Sequence, residues 1–148
     1  MADPKLEQAG ETAAGESDQF AVLLNKEFRP KTDRARAEVE NAVQTLAQQA
    51  RIMSAMVQRF FPAGTRMSRP QGGYVLWVEP VPHVDSMAVY QEALERGLTI
   101  GPGRMFSTSN TYGRFMRLNY SYPWSPEIEA AVIELGRIVA ARSSRVAR

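Results

Sequence analysis

Apolar residues recur every three or four positions from Ala35 to Phe60: Ala35, Val39, Ala42, Val43, Leu46, Ala50, Met53, Val57 and Phe60. That spacing predicts one helix about seven turns long with a single apolar stripe. Thr32 is its capping candidate, Asp33 puts a negative charge in the first turn, and Pro62 and Gly64 end it. Upstream, Phe20, Leu23, Leu24 and Phe28 share one face of a shorter helix that Ser17 can cap. Arg29-Pro30 stops that helix, because the residue before proline is pushed out of the α region. Residues 1–16 show no period and read as a disordered arm.

From Thr65 the period changes. Arg66 to Arg69 is a short strand candidate, and Gly72-Gly73 marks a turn or a close backbone approach. Tyr74 to Val78 is apolar at every position and reads as a strand covered on both faces. Asp85 caps a helix with Met87, Tyr90 and Leu94 expected inward, and Gly97 suits its C′ position. Leu98 to Ile100 is expected as a short strand, Gly101-Pro102-Gly103 as a sharp loop, and Phe115 to Tyr120 as another strand. Ser125-Pro126-Glu127 is a strong helix start, followed by the stripe Ile128, Val132, Leu135 and Val139. Helices alternating with paired strands predict an α/β unit of the α+β kind, a two-layer sandwich with helices on one face of a sheet.

Composition narrows the function. The chain has 148 residues with 44% hydrophobic and 23% charged positions, ordinary for a globular domain with an arm. It has no cysteine, which excludes a disulfide framework, a thiol nucleophile and a zinc-thiolate site. One histidine, His83, leaves no multi-histidine metal site, so no metal is expected. No apolar run is long enough to span a bilayer and the N-terminus is acidic, so no membrane partner is expected and the cytoplasm is the expected location.

The net charge of +2 hides an asymmetry: residues 1–50 carry −3 and the rest +5. All three lysines lie at or before Lys31. Arg137, Arg142, Arg145 and Arg148 form a basic tail that could touch nucleic acid or acidic lipid, but a solvated helix end is the favoured reading. No aromatic is interleaved with it, which disfavours the nucleic-acid reading.

Candidate chemistry is sparse. Phe115, Arg117 and Asn119 would share one face of their strand, with Met116, Leu118 and Tyr120 on the other. An arginine midway along a strand is costly to bury unpaired, and its planar fork suits a carboxylate held by two hydrogen bonds. The alternatives are a salt bridge to an acid such as Glu79, or exposure on an edge strand. Gly101-Pro102-Gly103-Arg104 could offer backbone N–H groups to an anion, but a structural turn explains it as well. His83 reads as a solvated loop residue. Trp77 and Trp124 read as core or interface anchors. Ser121 and Ser125 have no base in a recognisable arrangement, so no catalytic residue is named.

Three segments carry a family resemblance. Arg59-Phe-Phe-Pro-Ala-Gly-Thr-Arg-Met-Ser-Arg-Pro-Gln-Gly-Gly-Tyr-Val-Leu-Trp-Val-Glu79, Gly97-Leu-Thr-Ile-Gly-Pro-Gly-Arg-Met-Phe106 and Phe115-Met-Arg-Leu-Asn-Tyr120 resemble the aminotransferase part of MocR-type regulators. Those proteins join a winged helix-turn-helix domain to a pyridoxal-phosphate-dependent, fold-type I aminotransferase domain. The resemblance runs over residues 51–148 and implies the C-terminal small domain of that fold. It implies that Arg117 holds the substrate α-carboxylate. It also implies a cofactor lysine in a large domain that these residues do not match. With no lysine beyond Lys31, no cofactor is expected in this chain and a non-catalytic, carboxylate-binding unit is the expectation.

Residues 17–50 are similar to something else. Ser17-Asp-Gln-Phe-Ala-Val-Leu-Leu-Asn-Lys-Glu-Phe-Arg-Pro-Lys-Thr32, running on through Arg36 to Ala50, resembles the N-terminus of the large sheath subunit of type VI secretion systems. That resemblance implies a part that links subunits of a contractile tube, with the small sheath subunit as the partner. The chain thus reads as a chimera joined inside one helix, because Leu46, Ala50, Met53 and Val57 stay in phase across the seam. A small domain without its large one keeps an apolar face uncovered, so self-association or a protein partner is expected.

Overall fold

The computed structural model describes residues 32–146; the expected arm and the short helix over 17–28 lie outside them. The chain forms α1 (Asp33–Phe60), β1 (Arg66–Met67), β2 (Val75–Glu79), α2 (Ser86–Glu95), β3 (Gly101–Pro102), two single 3₁₀ turns (Gly103–Phe106 and Asn110–Tyr112), β4 (Met116–Asn119) and α3 (Pro126–Val146). The strands lie in the order β1-β2-β4-β3, each antiparallel to its neighbour.

The helix boundaries follow from capping chemistry. Ala35 N–H donates to Thr32 Oγ1 at 3.2 Å, Met87 N–H to Asp85 Oδ1 at 3.3 Å and Ile128 N–H to Ser125 Oγ at 3.3 Å. α2 closes in a Schellman motif. Leu98 N–H reaches Ala93 O at 2.9 Å, Gly97 N–H reaches Leu94 O at 3.0 Å, and Gly97 takes φ +75°.

The helices cover one face of the sheet. Leu76 and Val78 from β2 and Met116 and Leu118 from β4 point inward. They meet Met53 and Val57 of α1, Val89 and Ala93 of α2, and Val132, Leu135, Ile138 and Val139 of α3. Each such side chain, fully buried, contributes about 1.5–3 kcal/mol of hydrophobic stabilisation.

Three expectations are corrected. The third strand is Gly101–Pro102, not Leu98–Ile100, because Leu98 is spent on the α2 cap and the ladder to β4 begins where Gly101 faces Arg117. In α2 the buried positions are Ser86, Val89 and Ala93; Tyr90 packs against the core as expected, whereas Leu94 is 52% exposed. Ser86 buries because its hydroxyl donates to Gly113 O at 2.8 Å, which rotates the stripe away from Leu94. The α1 stripe is buried only from Leu46 onward; Val39 and Val43 are 54% and 61% exposed. At the turn where burial begins, Gln49 is buried and donates from Nε2 to Tyr120 O at 2.9 Å.

Candidate functional site

The outer face of the sheet holds the candidate chemistry. Strand alternation sends Trp77 and Glu79 of β2, and Phe115 and Arg117 at β4, to the side opposite the helices. In the ladder Arg117 stands between Trp77 on one side and Gly101 on the other. Among the described residues no α-helix covers this face; the two 3₁₀ turns do. They bring Phe106 and Tyr112 to Trp77, with ring centroids at 5.6 and 5.7 Å, and Tyr112 lies edge-on to Phe115 at 5.5 Å.

Arg117 is half-buried, and its guanidinium carbon lies 4.6 Å from the Phe106 ring centroid. That is cation–π distance. Glu79, the acid offered as a salt-bridge partner, is engaged elsewhere. It is 2% exposed, pairs with Arg66 through one oxygen and lies 3.2 Å from Arg114 through the other. Among the described residues Arg117 has no Asp or Glu within ion-pair distance. Beside it the Trp77 indole is 6% exposed, and its Nε1–H has no acceptor among the described residues.

Two glycines make the arrangement sterically accessible. A Cβ on Gly101 would lie 3.1 Å from both Arg117 Cβ and Phe106 Cε2, so a side chain here would press on the stacked pair. A Cβ on Gly103 would sit 2.1 Å from Tyr112 O, an impossible approach. The Gly103 N–H donates to Phe115 O at 2.7 Å, so it is not turned toward an anion. The glycine motif is therefore a strand edge and a 3₁₀ start rather than a phosphate cradle. Phe106 is the site residue that sequence reasoning missed, and Gly101 serves as the strand edge beside Arg117 rather than as an anion-binding turn; the signal available for Phe106 was its place within the Gly97–Phe106 motif.

The other candidates do not assemble into a site. His83 is exposed, in a loop, with φ +77°. Ser125 caps α3, and Ser121 N–H donates to Asn119 Oδ1 at 2.7 Å. Trp124 packs at the core margin. Arg137 and Arg142 of the basic tail pair with Glu134 and Glu92. Burial raises the Tyr120 phenol above its ordinary value; its hydroxyl donates to Gly72 O at 3.3 Å. Among the described residues no three His, Cys, Asp or Glu side chains are grouped to hold a metal ion, and no helix is long and apolar enough to cross a membrane.

This chain is similar to two kinds of protein. Over 84 residues, 57% of this chain and 18% of the other, it is 34% identical to an uncharacterized HTH-type transcriptional regulator, YdcR, of Escherichia coli. Over 48 residues, 32% of this chain and 10% of the other, it is 46% identical to the type VI secretion system sheath protein TssC1 of Pseudomonas aeruginosa. The fold is that of aminotransferases. The multiple substrate aminotransferase of Thermococcus profundus matches with a TM-score of 0.68 at 20% identity, covering 76% of this chain and 28% of that one. LysN, the alpha-aminoadipate aminotransferase of Thermus thermophilus, matches with a TM-score of 0.62 at 25% identity, covering 82% and 30%. No family model matches the chain. The chain spans about a fifth or less of the HTH-type regulators it matches. Its composition is chimeric: an aminotransferase-like unit together with a sheath-like stretch.

Proposed function

We propose that the aminotransferase-like unit is a non-catalytic carboxylate-binding module, with Arg117 as the residue that binds. The observation that carries this reading is the position of Arg117: central in the sheet, held over Phe106, and without an acidic partner among the described residues. A guanidinium in that state offers two parallel N–H donors to a carboxylate and gains charge-assisted hydrogen bonds. The unsatisfied Trp77 Nε1–H beside it supports a face that is completed by an acceptor. LysN is described as complexed with N-(5'-phosphopyridoxyl)-L-leucine, an amino-acid adduct that carries a carboxylate.

Pyridoxal phosphate itself does not fit the described residues. Its attachment needs a primary amine to form an imine. The 148 residues hold no lysine after Lys31, and the described region, 32–146, contains none. No step of transamination is therefore assigned to it.

Titration with glutarate, followed through the Arg117 side-chain N–H resonance, tests the module. Glutarate is expected to bind wild type, and Arg117→Gln to weaken it at least about tenfold, as loss of a charged hydrogen bond worth about 1.5–3 kcal/mol requires. Equal binding by both proteins, or none by wild type, overturns the reading. On addition of pyridoxal phosphate no stoichiometric, saturable internal-aldimine absorbance band is expected, and such a band would overturn the non-catalytic assignment.

A second reading, a structural assembly module acting through residues 17–50, is favoured by the TssC1 likeness together with the uncovered Val39 and Val43. Retention of the full chain by the small sheath subunit in a pull-down is the expected result, and its absence counts against this reading.

A further inference from the structure

β1 ends the sheet, with β2 as its one neighbour among the described residues. An edge strand keeps a row of backbone N–H and C=O groups that can pair with another chain. We propose that this edge, together with the groove beside it, takes up an extended acidic peptide as an added strand. The inference is independent of Arg117.

Register carries the first part. Ser68 N–H donates to Trp77 O at 2.9 Å, and Met67 stands opposite Val78. Backbone groups alternate in direction along an antiparallel strand, so those of Ser68 face β2 and those of Met67 and Arg69 face away from it. The N–H groups of Met67 and Arg69 have no acceptor among the described residues. Beside this edge an open groove of about 980 Å³ separates residues 65–73 from α1, whose Leu46 and Ala50 form an apolar wall. An added strand would lie about 4.8 Å from β1, between the edge and that wall. In strand addition main-chain bonds supply affinity, and contacts to alternate side chains supply selectivity.

Charge carries the second part. Strand alternation puts Arg69 on the same side as Met67, which packs against the core beneath the helices. Arg51 lines the groove from α1. Both arginines are exposed, and neither has an ion pair among the described residues. Arg66 is committed to Glu79 and takes no part in the argument. No Asp or Glu lines the groove. A peptide whose carboxylates point to one side of an extended backbone can meet Arg51 and Arg69 while it pairs with β1. The unpaired edge favours a peptide over a polyphosphate, because a nucleic acid has no strand to add.

Fluorescence anisotropy on the full chain with labelled Thr-Glu-Thr-Val-Thr-Glu-Thr tests the proposal. Extended, this peptide presents Glu, Val and Glu to the groove and Thr to the other side. It is expected to bind. Its Gln-for-Glu counterpart, and the double variant Arg51→Glu/Arg69→Glu with the original peptide, are expected to bind at least about tenfold more weakly. Both arginines are exposed, so the variant leaves the core intact. Methylation of the peptide nitrogens that face β1 is expected to abolish binding. Amide exchange at Met67 and Arg69 is expected to slow when peptide is added, while residues 116–119 keep their rates. Absence of binding overturns the proposal, as does equal binding by the methylated peptide or by the double variant. Slow exchange at Met67 and Arg69 before peptide is added also overturns it, because the edge is then already paired. Tighter binding of a single-stranded oligonucleotide than of the peptide overturns it too, by assigning the two arginines to phosphate.

Discussion

β4 has two faces built to different rules. Met116 and Leu118 enter a predominantly apolar core that three helices close, with Gln49 and Ser86 as buried polar residues whose side chains are hydrogen-bonded to backbone carbonyls. Phe115 and Arg117, one residue out of phase, meet Trp77 of β2, aromatic rings from two short 3₁₀ turns and a glycine strand edge. The inner face is finished: its side chains have exchanged water for close-packed neighbours. The outer face is unfinished. It keeps a guanidinium without an acid and an indole N–H without an acceptor among the described residues, and it leaves Phe106 42% exposed. Close-packed apolar side chains occupy one side of a four-residue strand, and a guanidinium over an aromatic ring the other.

The largest expected effect is on the inner side. Leu76→Ala removes a side chain with no exposure and should cost about 2–5 kcal/mol, read as a lower urea midpoint at unchanged slope. A smaller loss would mean that the core collapses around the vacancy and is less finished than its burial indicates. On the outer side Gly103→Ala drives a methyl group into the Tyr112 carbonyl. Overpacking of that kind costs about 1–3 kcal/mol. The expected signature is an altered Trp77 environment in near-ultraviolet circular dichroism with the helical signal retained. An unchanged near-ultraviolet spectrum would show that the aromatic face does not depend on the Gly103 approach.

The smallest effect belongs to the surface between α2 and α3. Glu134 is held below its ordinary carboxyl value of 4.5, first by its hydrogen bond from Arg96 and then by that from Arg137. A depressed carboxylate stabilises the fold above its unfolded pKa and loses that contribution as pH falls through the lower folded value. The melting temperature should therefore drop slightly below pH 4.5, and Arg96→Ala should flatten the drop. Added salt should shrink it as well, since both partners are solvent-accessible. An acid drop that Arg96→Ala leaves unaltered would move its cause elsewhere.

Much of the fold was legible because capping and periodicity are local. Thr32, Asp85 and Ser125 cap where their side chains and positions require, and Gly97 closes α2 in the left-handed region only glycine enters cheaply. The alternation that separates Arg117 from Met116 is likewise a property of extended backbone. What misled was burial of a polar residue: Ser86 looks like surface until Gly113 O is found above it, and that contact is 27 positions away. Phe106 was illegible as a site residue for the same reason, since its ring reaches Arg117 only after β3 and β4 pair.

The 148 residues alone determined three capped helices, the two-faced strand and the absence of lysine beyond Lys31, because each is written in nearest-neighbour geometry or in composition. Tertiary structure alone decided that Glu79 pairs with Arg66 and Arg114, leaving Arg117 without an acidic partner among the described residues. It also decided that one continuous apolar stripe on α1 is buried in its second half and open in its first. The reason is that pairing and burial depend on which distant surfaces arrive. Spacing along a helix fixes which residues share a face, but not how far along that face the sheet extends.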